Sequence, residues 1–165
     1  MVMTMVSQKY LKDILSYDPD TGLFHWIINR TGVTIGMQAG SINKQGYVRI
    51  EVDGKSYAAH RLAWLYVYGY MPSKVEYIDH IDRTKDNNQI DNLRIANHSE
   101  NKLNSGLPKN NKTGYKGVQM HGERFRAQTT INSKRVHLGT FDTALDAYNA
   151  YVKAVQSHHG KDVLL

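Results

Sequence analysis

The 165-residue sequence contains no cysteine, only three prolines and only three phenylalanines. Without thiols it can build neither disulfide staples nor thiolate zinc sites, and the composition fits a reducing compartment. No apolar run is long enough for a signal peptide or a membrane span, so a cytoplasmic protein is expected. Acidic residues are scarce in one region. Residues 101–165 hold four Asp and Glu against ten Lys and Arg, whereas residues 1–100 balance eleven against eleven. The formal net charge of +6 therefore belongs to the last third. An excess of this kind suits a polyanion, nucleic acid above all, although a merely solvated basic surface would look the same.

Local patterns give an α+β chain. Residues 7–22 read as a short helix ended by a Pro-Asp-x-Gly turn, and "LFHWII" as a strand. Val48, Ile50 and Val52 alternate with Arg49 and Glu51 before Asp53-Gly54, the signature of a hairpin. "HRLAWLYVYG" reads as a buried helix with Leu62, Leu65 and Tyr66 on one face. "VEYIDHI" and "LRIA" are short strands around a polar loop, and a helix capped by Asn97 or Ser99 follows. Residues 105–113 have a linker's composition. Beyond them, three short strands turn at His121-Gly122 and Asn132-Ser133, and a helix capped by Thr143 carries an Ala147, Ala150, Tyr151, Ala154 stripe. A three-stranded sheet covered by one helix is the economical arrangement for that length.

The stretch "IDHIDRTKDNNQIDNLRIANHSEN", residues 78–101, is crowded with Asp, Asn and His and has no Gly or Pro. Asp79 and His80 are adjacent on a strand and point to opposite faces. They suit a division of labour, with the carboxylate on a metal and the imidazole on something else. Asn101 could return an amide oxygen to the same ion. One carboxylate and one amide make a hard, sparse donor set that suits Mg²⁺ or Mn²⁺ completed by water and phosphate. Without thiolates or paired His at helical spacing, zinc is a poor fit. Taken alone, the cluster could equally be a polar loop of Asn-rich turns with a satisfied histidine.

"AHRLAWLYVYG", "IDHIDRTKDNNQIDNLR" and the trailing Glu100-Asn101 resemble the HNH endonucleases of phages, particularly homing endonucleases. The match rests on Asp79-His80, Asn92-Leu93-Arg94 and Asn101 together, over roughly residues 46–104. This resemblance implies a ββα-metal fold and a phage-encoded protein acting in the host cytoplasm. It implies His80 as general base, Asp79 and Asn101 as ligands of one divalent ion, and Asn92 as the residue holding the loop and the His-bearing strand. Arg61 of the "HRLAW" pair is a candidate phosphate contact, with packing or capping as the plainer role for it and His60.

Residues 113–154 resemble the DNA-binding domain of plant ethylene-response factors, the Apetala family, through Lys116-Gly117-Val118, Phe125-Arg126-Ala127, Leu138-Gly139-Thr140-Phe141 and Thr143-Ala144. The resemblance implies a sheet lying in a DNA major groove. Contact candidates are Lys116, Gln119, Arg124, Arg126, Thr129, Lys134 and Arg135. Phe125 replaces the family's usual Trp and Gln119 its usual Arg, so no sequence preference carries over.

The expected organisation is a nuclease module over residues 1–104, a linker over 105–113 and a DNA-binding module over 114–165. The expected activity is metal-dependent hydrolysis of duplex DNA, with a homodimer or two sequential events needed to cut both strands. The rivals are a non-catalytic DNA-binding regulator on a relic nuclease fold and a binder or nuclease of structured RNA.

Overall fold

Ser7 accepts a hydrogen bond from the Tyr10 amide and starts helix α1 (Gln8–Ile14). The computed structural model describes residues 6–73, 75–132 and 134–159. Helix α1 runs into β1 (Leu15–Tyr17), which pairs antiparallel with β2 (Phe24–Trp26). Next comes a sheet of order β3-β4-β5, made of Ser41–Ile42, Val48–Val52 and Lys55–Ala58. Its second turn is Asp53-Gly54, both residues at positive φ (50° and 72°), as a two-residue turn matching strand twist requires.

Helix α2 (Ala59–Tyr68) stops at Gly69, whose left-handed conformation lets its N–H cap the Leu65 carbonyl. Ala59, Leu62, Ala63, Trp64 and Leu65 bury one side of it in a core with Leu11, Leu15, Phe24 and Ile50. Strand β6 (Glu76–His80) and strand β7 (Leu93–Asn97) form a two-stranded sheet, joined by a polar loop that ends in a 3-10 turn at Ile90–Asn92.

The chain divides into two compact units, Met1–Ala96 and Asn97–Leu165. The second starts with helix α3 (His98–Asn104), capped by Asn97 in a reciprocal box with Glu100. The nuclease module expected over residues 1–104 includes this helix. Here Leu103 is buried with Tyr151 and Val155, which places α3 in the second unit.

That unit is completed by β8 (Val118–His121), β9 (Arg124–Ile131), β10 (Lys134–Phe141) and α4 (Ala144–His159). The antiparallel order is β10-β9-β8. Thr143 accepts from the Asp146 amide at the start of α4. Ala147 meets Val118 and Ala127 in a core in which all three are buried. Gly117 (φ +74°) lies under the Tyr151 ring, where a Cβ would come within 2.0 Å of it. Of the expected turn at Asn132-Ser133, Ser133 lies outside the described residues. The chain is α+β throughout, and among the described residues no helix is long and apolar enough to cross a membrane.

Candidate functional site

Asp79 and His80 close β6 and are both buried, at 9% and 4% exposure. Because strand neighbours point apart, the two side chains have separate surroundings. The Asp79 carboxylate accepts from Nε and Nη2 of Arg94 on β7, at 3.4 and 3.3 Å. His80 instead joins an aromatic group. The His60 ring stands edge-on to it at 5.0 Å, and the Tyr47 ring lies 6.0 Å away.

His80 Nε2 is 3.4 Å from Asn88 Oδ1. Asn88 Nδ2 donates to the Asp86 carbonyl at 3.0 Å, and this fixes which end of the amide faces the imidazole. An amide oxygen only accepts, so the geometry puts the ring proton on Nε2 and the lone pair on Nδ1. Burial lowers the His80 pKa from its ordinary value, and the Asn88 bond and the carboxylates of Asp82, Asp79 and Asp86 offset this only in part. A neutral imidazole results, the form that can take a proton.

The first hairpin of the chain braces this loop. Tyr17 O–H donates to the Asn88 carbonyl at 2.7 Å within the core, and the Ile90 amide donates to the Pro19 carbonyl at 3.3 Å. Gly22, at φ +72°, passes so close that a Cβ would meet Gln89 N at 2.4 Å and Asn88 C at 2.5 Å.

Asn92 ties the far side of the loop. Its Oδ1 accepts from the Asp82 amide (3.0 Å), while Nδ2 donates to Asp82 Oδ1 and to the Asn87 carbonyl, both at 2.9 Å. Its carbonyl also accepts from the Ile81 amide, next to His80. Partial burial pushes the Asp82 pKa up, but hydrogen bonds from Asn87, Thr84 and Asn92 outweigh it and hold the carboxyl below its ordinary value. Asn92→Ala removes three such bonds. A loss of about 2 kcal/mol is expected at about 1 kcal/mol for each net bond, less what water recovers. Urea unfolding of the variant checks this, and an unchanged midpoint would contradict the loop's dependence on Asn92.

His60 has a different problem. Its Nδ1 is buried with no hydrogen-bond partner among the described residues. Burial, together with repulsion from His80, Arg61 and Arg49, brings its pKa down to about 3. The unfolded chain, with an ordinary histidine near pH 6.5, binds the proton first. Stability from this group is therefore full above about pH 6.5 and falls by up to roughly 1.4 kcal/mol per pH unit on acidification towards the folded value. His60→Phe keeps the ring and removes the titration, so the loss of stability between about pH 7 and about pH 5 should be smaller than in the wild type. Equal losses in paired urea titrations would contradict this account of His60.

The remaining residues singled out from the sequence are distributed over both units. Arg61 is exposed on α2. Asn101 is half-buried in α3, in the second unit. In that unit, Phe125 faces the core with Ala127, and cross-strand register puts Gln119, Arg124, Arg126 and Arg135 together on the opposite sheet face. Arg124 pairs with Asp142 at 2.7 Å. Thr129 falls at the same strand parity as Phe125 and Ala127, is 7% exposed, and so lies on the inner face, away from those arginines. Lys134 is opposite Ile131 on that same side. The Lys116 amine donates to the carbonyls of Leu103 and Ser105, which secures the turn before β8.

Sequence reasoning names no partner for His80 in this loop. It did not foresee Tyr47, Tyr17 or Gly22 around the site. The aromatic and glycine positions carry no chemical signature of their own, and only the folded register brings them to the loop.

The chain is similar to known proteins in three comparisons. Protein 3.8 of Escherichia phage T7 is 39% identical over 75 residues, 46% of this chain. The match spans 61% of that relative, and its name states no activity. The solved HNH homing endonuclease I-HmuI, described for DNA binding and cleavage, aligns with 96% of this chain and 84% of its own at 20% identity and a TM-score of 0.46. Residues 57–103, which hold His60, Asp79, His80, Asn88, Asn92 and Asn101, match the family model described as HNH endonuclease.

Proposed function

We propose that the protein is a metal-dependent endonuclease that hydrolyses phosphodiester bonds of duplex DNA, with His80 as general base. The observation that carries this is the buried, neutral His80, held by Asn88 within the segment that matches the HNH endonuclease family. An imidazole kept unprotonated beside a carboxylate of separate orientation is the arrangement that water activation at an anionic phosphate needs.

The donor set fits a hard divalent cation in a sparse shell, Mg²⁺ or Mn²⁺. Asp79 offers a carboxylate whose present counter-charge is Arg94 at 3.3 Å. Among the described residues no group of three or more His, Cys, Asp or Glu forms a closed cage, so water and phosphate would complete the shell. Asn101 is assigned as the second protein ligand by its spacing after His80 alone. When bound, the ion supplies positive charge against the phosphoryl oxygen and the leaving 3′ oxygen.

The residues do the rest. His80 takes a proton from water as the water oxygen bonds to phosphorus. The P–O3′ bond breaks, leaving a 5′-phosphate and, once protonated, a 3′-hydroxyl. Asn88 holds the His80 tautomer, and Asn92 holds the loop that carries Asn88. The outer sheet face of the second unit, with Gln119, Arg124, Arg126 and Arg135, binds DNA, and Arg61 touches phosphate.

Supercoiled plasmid incubated with Mg²⁺, with Mn²⁺ and with EDTA tests the reading. Nicked or linear product with ligatable ends, formed with metal and blocked by chelator, supports it. Intact plasmid with stable binding would favour a non-catalytic DNA-binding regulator, and preference for duplex RNA in competition would favour an RNA partner.

A further inference from the structure

Strand β8 pairs with β9 only from Arg124 to Ala127, so the end of β9 from residue 129 onward has no β8 neighbour. A pocket of about 890 Å³ opens there, within the second unit. Helix α3 and residues 105–113 wall it, so the segment that reads as a linker in composition is one side of a cavity. Four cationic residues line it, Lys102, Lys112, Lys116 and Arg135, and among the described lining residues there is no carboxylate. The Lys116 amine is engaged by the Leu103 and Ser105 carbonyls, whereas Lys102, Lys112 and Arg135 are exposed side chains.

The pocket is continuous with the basic sheet face. Gln119, Gln128 and Arg135 belong to both, since register puts all three on the outer face and all three line the cavity. A polyanion lying along that face would reach the pocket mouth without meeting a carboxylate in its lining. Here the local charge is a condition for binding, because a concave basic site without acidic groups lowers the cost of bringing in a phosphate.

We propose that this pocket is a second DNA contact, which takes backbone phosphate from the duplex through Lys102 and Lys112, with Arg135 joining it to the sheet face. This rests on the reading of the second unit as a DNA binder. It makes the 105–113 segment part of the binding surface, and it is a positioning contact that carries no base readout.

The test is the salt dependence of duplex DNA binding by the full chain, measured by fluorescence anisotropy in EDTA so that no cutting occurs. Variants are Lys102→Ala, Lys112→Ala and the double replacement, with Lys153→Ala on exposed α4 as a control for loss of a lysine outside the pocket. Each phosphate contact contributes about 0.9 to the slope of log affinity against log salt, so the double variant should lose about 2 in slope and each single variant about 1. Lys153→Ala should match the wild type, and thermal melts of all variants should coincide. Wild type that binds while the double variant keeps its slope and affinity overturns the pocket contact alone. Wild type that fails to bind duplex DNA overturns the DNA-binding reading of the unit, and the pocket contact falls with it.

Discussion

Replacing His80 by alanine should slow DNA cleavage by about 10²–10⁴-fold, the span that a positioned general base contributes. Duplex binding should change by no more than about twofold, since the proposed phosphate contacts lie elsewhere. The contrast comes from the site's geometry. His80 is 4% exposed and held by Asn88 and the rings of His60 and Tyr47, so its ring has one orientation to offer. Alanine leaves Asp79 and Arg94 in place and removes the proton acceptor together with its contacts to His60, Tyr47 and Asn88. His80→Gln is the informative companion, because it can keep a polar contact with Asn88 but cannot accept a proton at neutral pH. Both variants should be comparably slow. A glutamine variant cutting at the wild-type rate would mean that His80 acts by shape, not as a base.

Replacing Gly22 by alanine should cost about 2–5 kcal/mol in unfolding free energy, combining positive-φ strain with overpacking. Gly22 adopts φ +72° and its missing Cβ would sit 2.4 Å from the Gln89 nitrogen. The obstacle is backbone, so no side-chain rotation relieves it. The clash falls on the residue next to Asn88, which orients His80. Cleavage should therefore drop even under conditions where the variant remains folded. Urea unfolding gives the first number and cleavage at low temperature the second. Normal stability with normal activity would show that the hairpin does not brace the loop.

The sequence made much of this legible, for identifiable reasons. Alternation of Val48, Ile50 and Val52 with polar residues and the Asp53-Gly54 turn predicted the hairpin seen in β4 and β5, in which Ile50 and Val52 are buried. Asn97 and Glu100 are separated by the capping-box interval, and α3 starts there. Those signals are local, so a short window contains them. Long-range contacts were not readable in this way. Tyr17 reaches Asn88 across 71 positions, and nothing in "SYDPDTG" marks its tyrosine as a brace for a distant histidine. Membership of α3 in the second unit depends on Leu103 meeting Tyr151 and Val155, a packing choice that its polar sequence conceals.

Thr129 shows a different limit. Strand period alone separates it from Arg124 and Arg126, but the composition of "RFRAQTTI" invites grouping all its polar residues on the exposed face. The structure buries Thr129 on the Ala127 side, so a DNA contact by its side chain is the weakest of the sequence assignments. Lys116 is similarly occupied, its amine held by two backbone carbonyls.

Counting the bound ion tests the central claim most directly. Mn²⁺ titration followed by electron paramagnetic resonance, with the His80→Ala protein bound to duplex DNA to prevent turnover, should find one tightly bound ion per chain. Adding Asp79→Ala in the same folded background should abolish that ion. Binding that is absent from the start, or that persists unchanged without the Asp79 carboxylate, would contradict a metal site built on this residue.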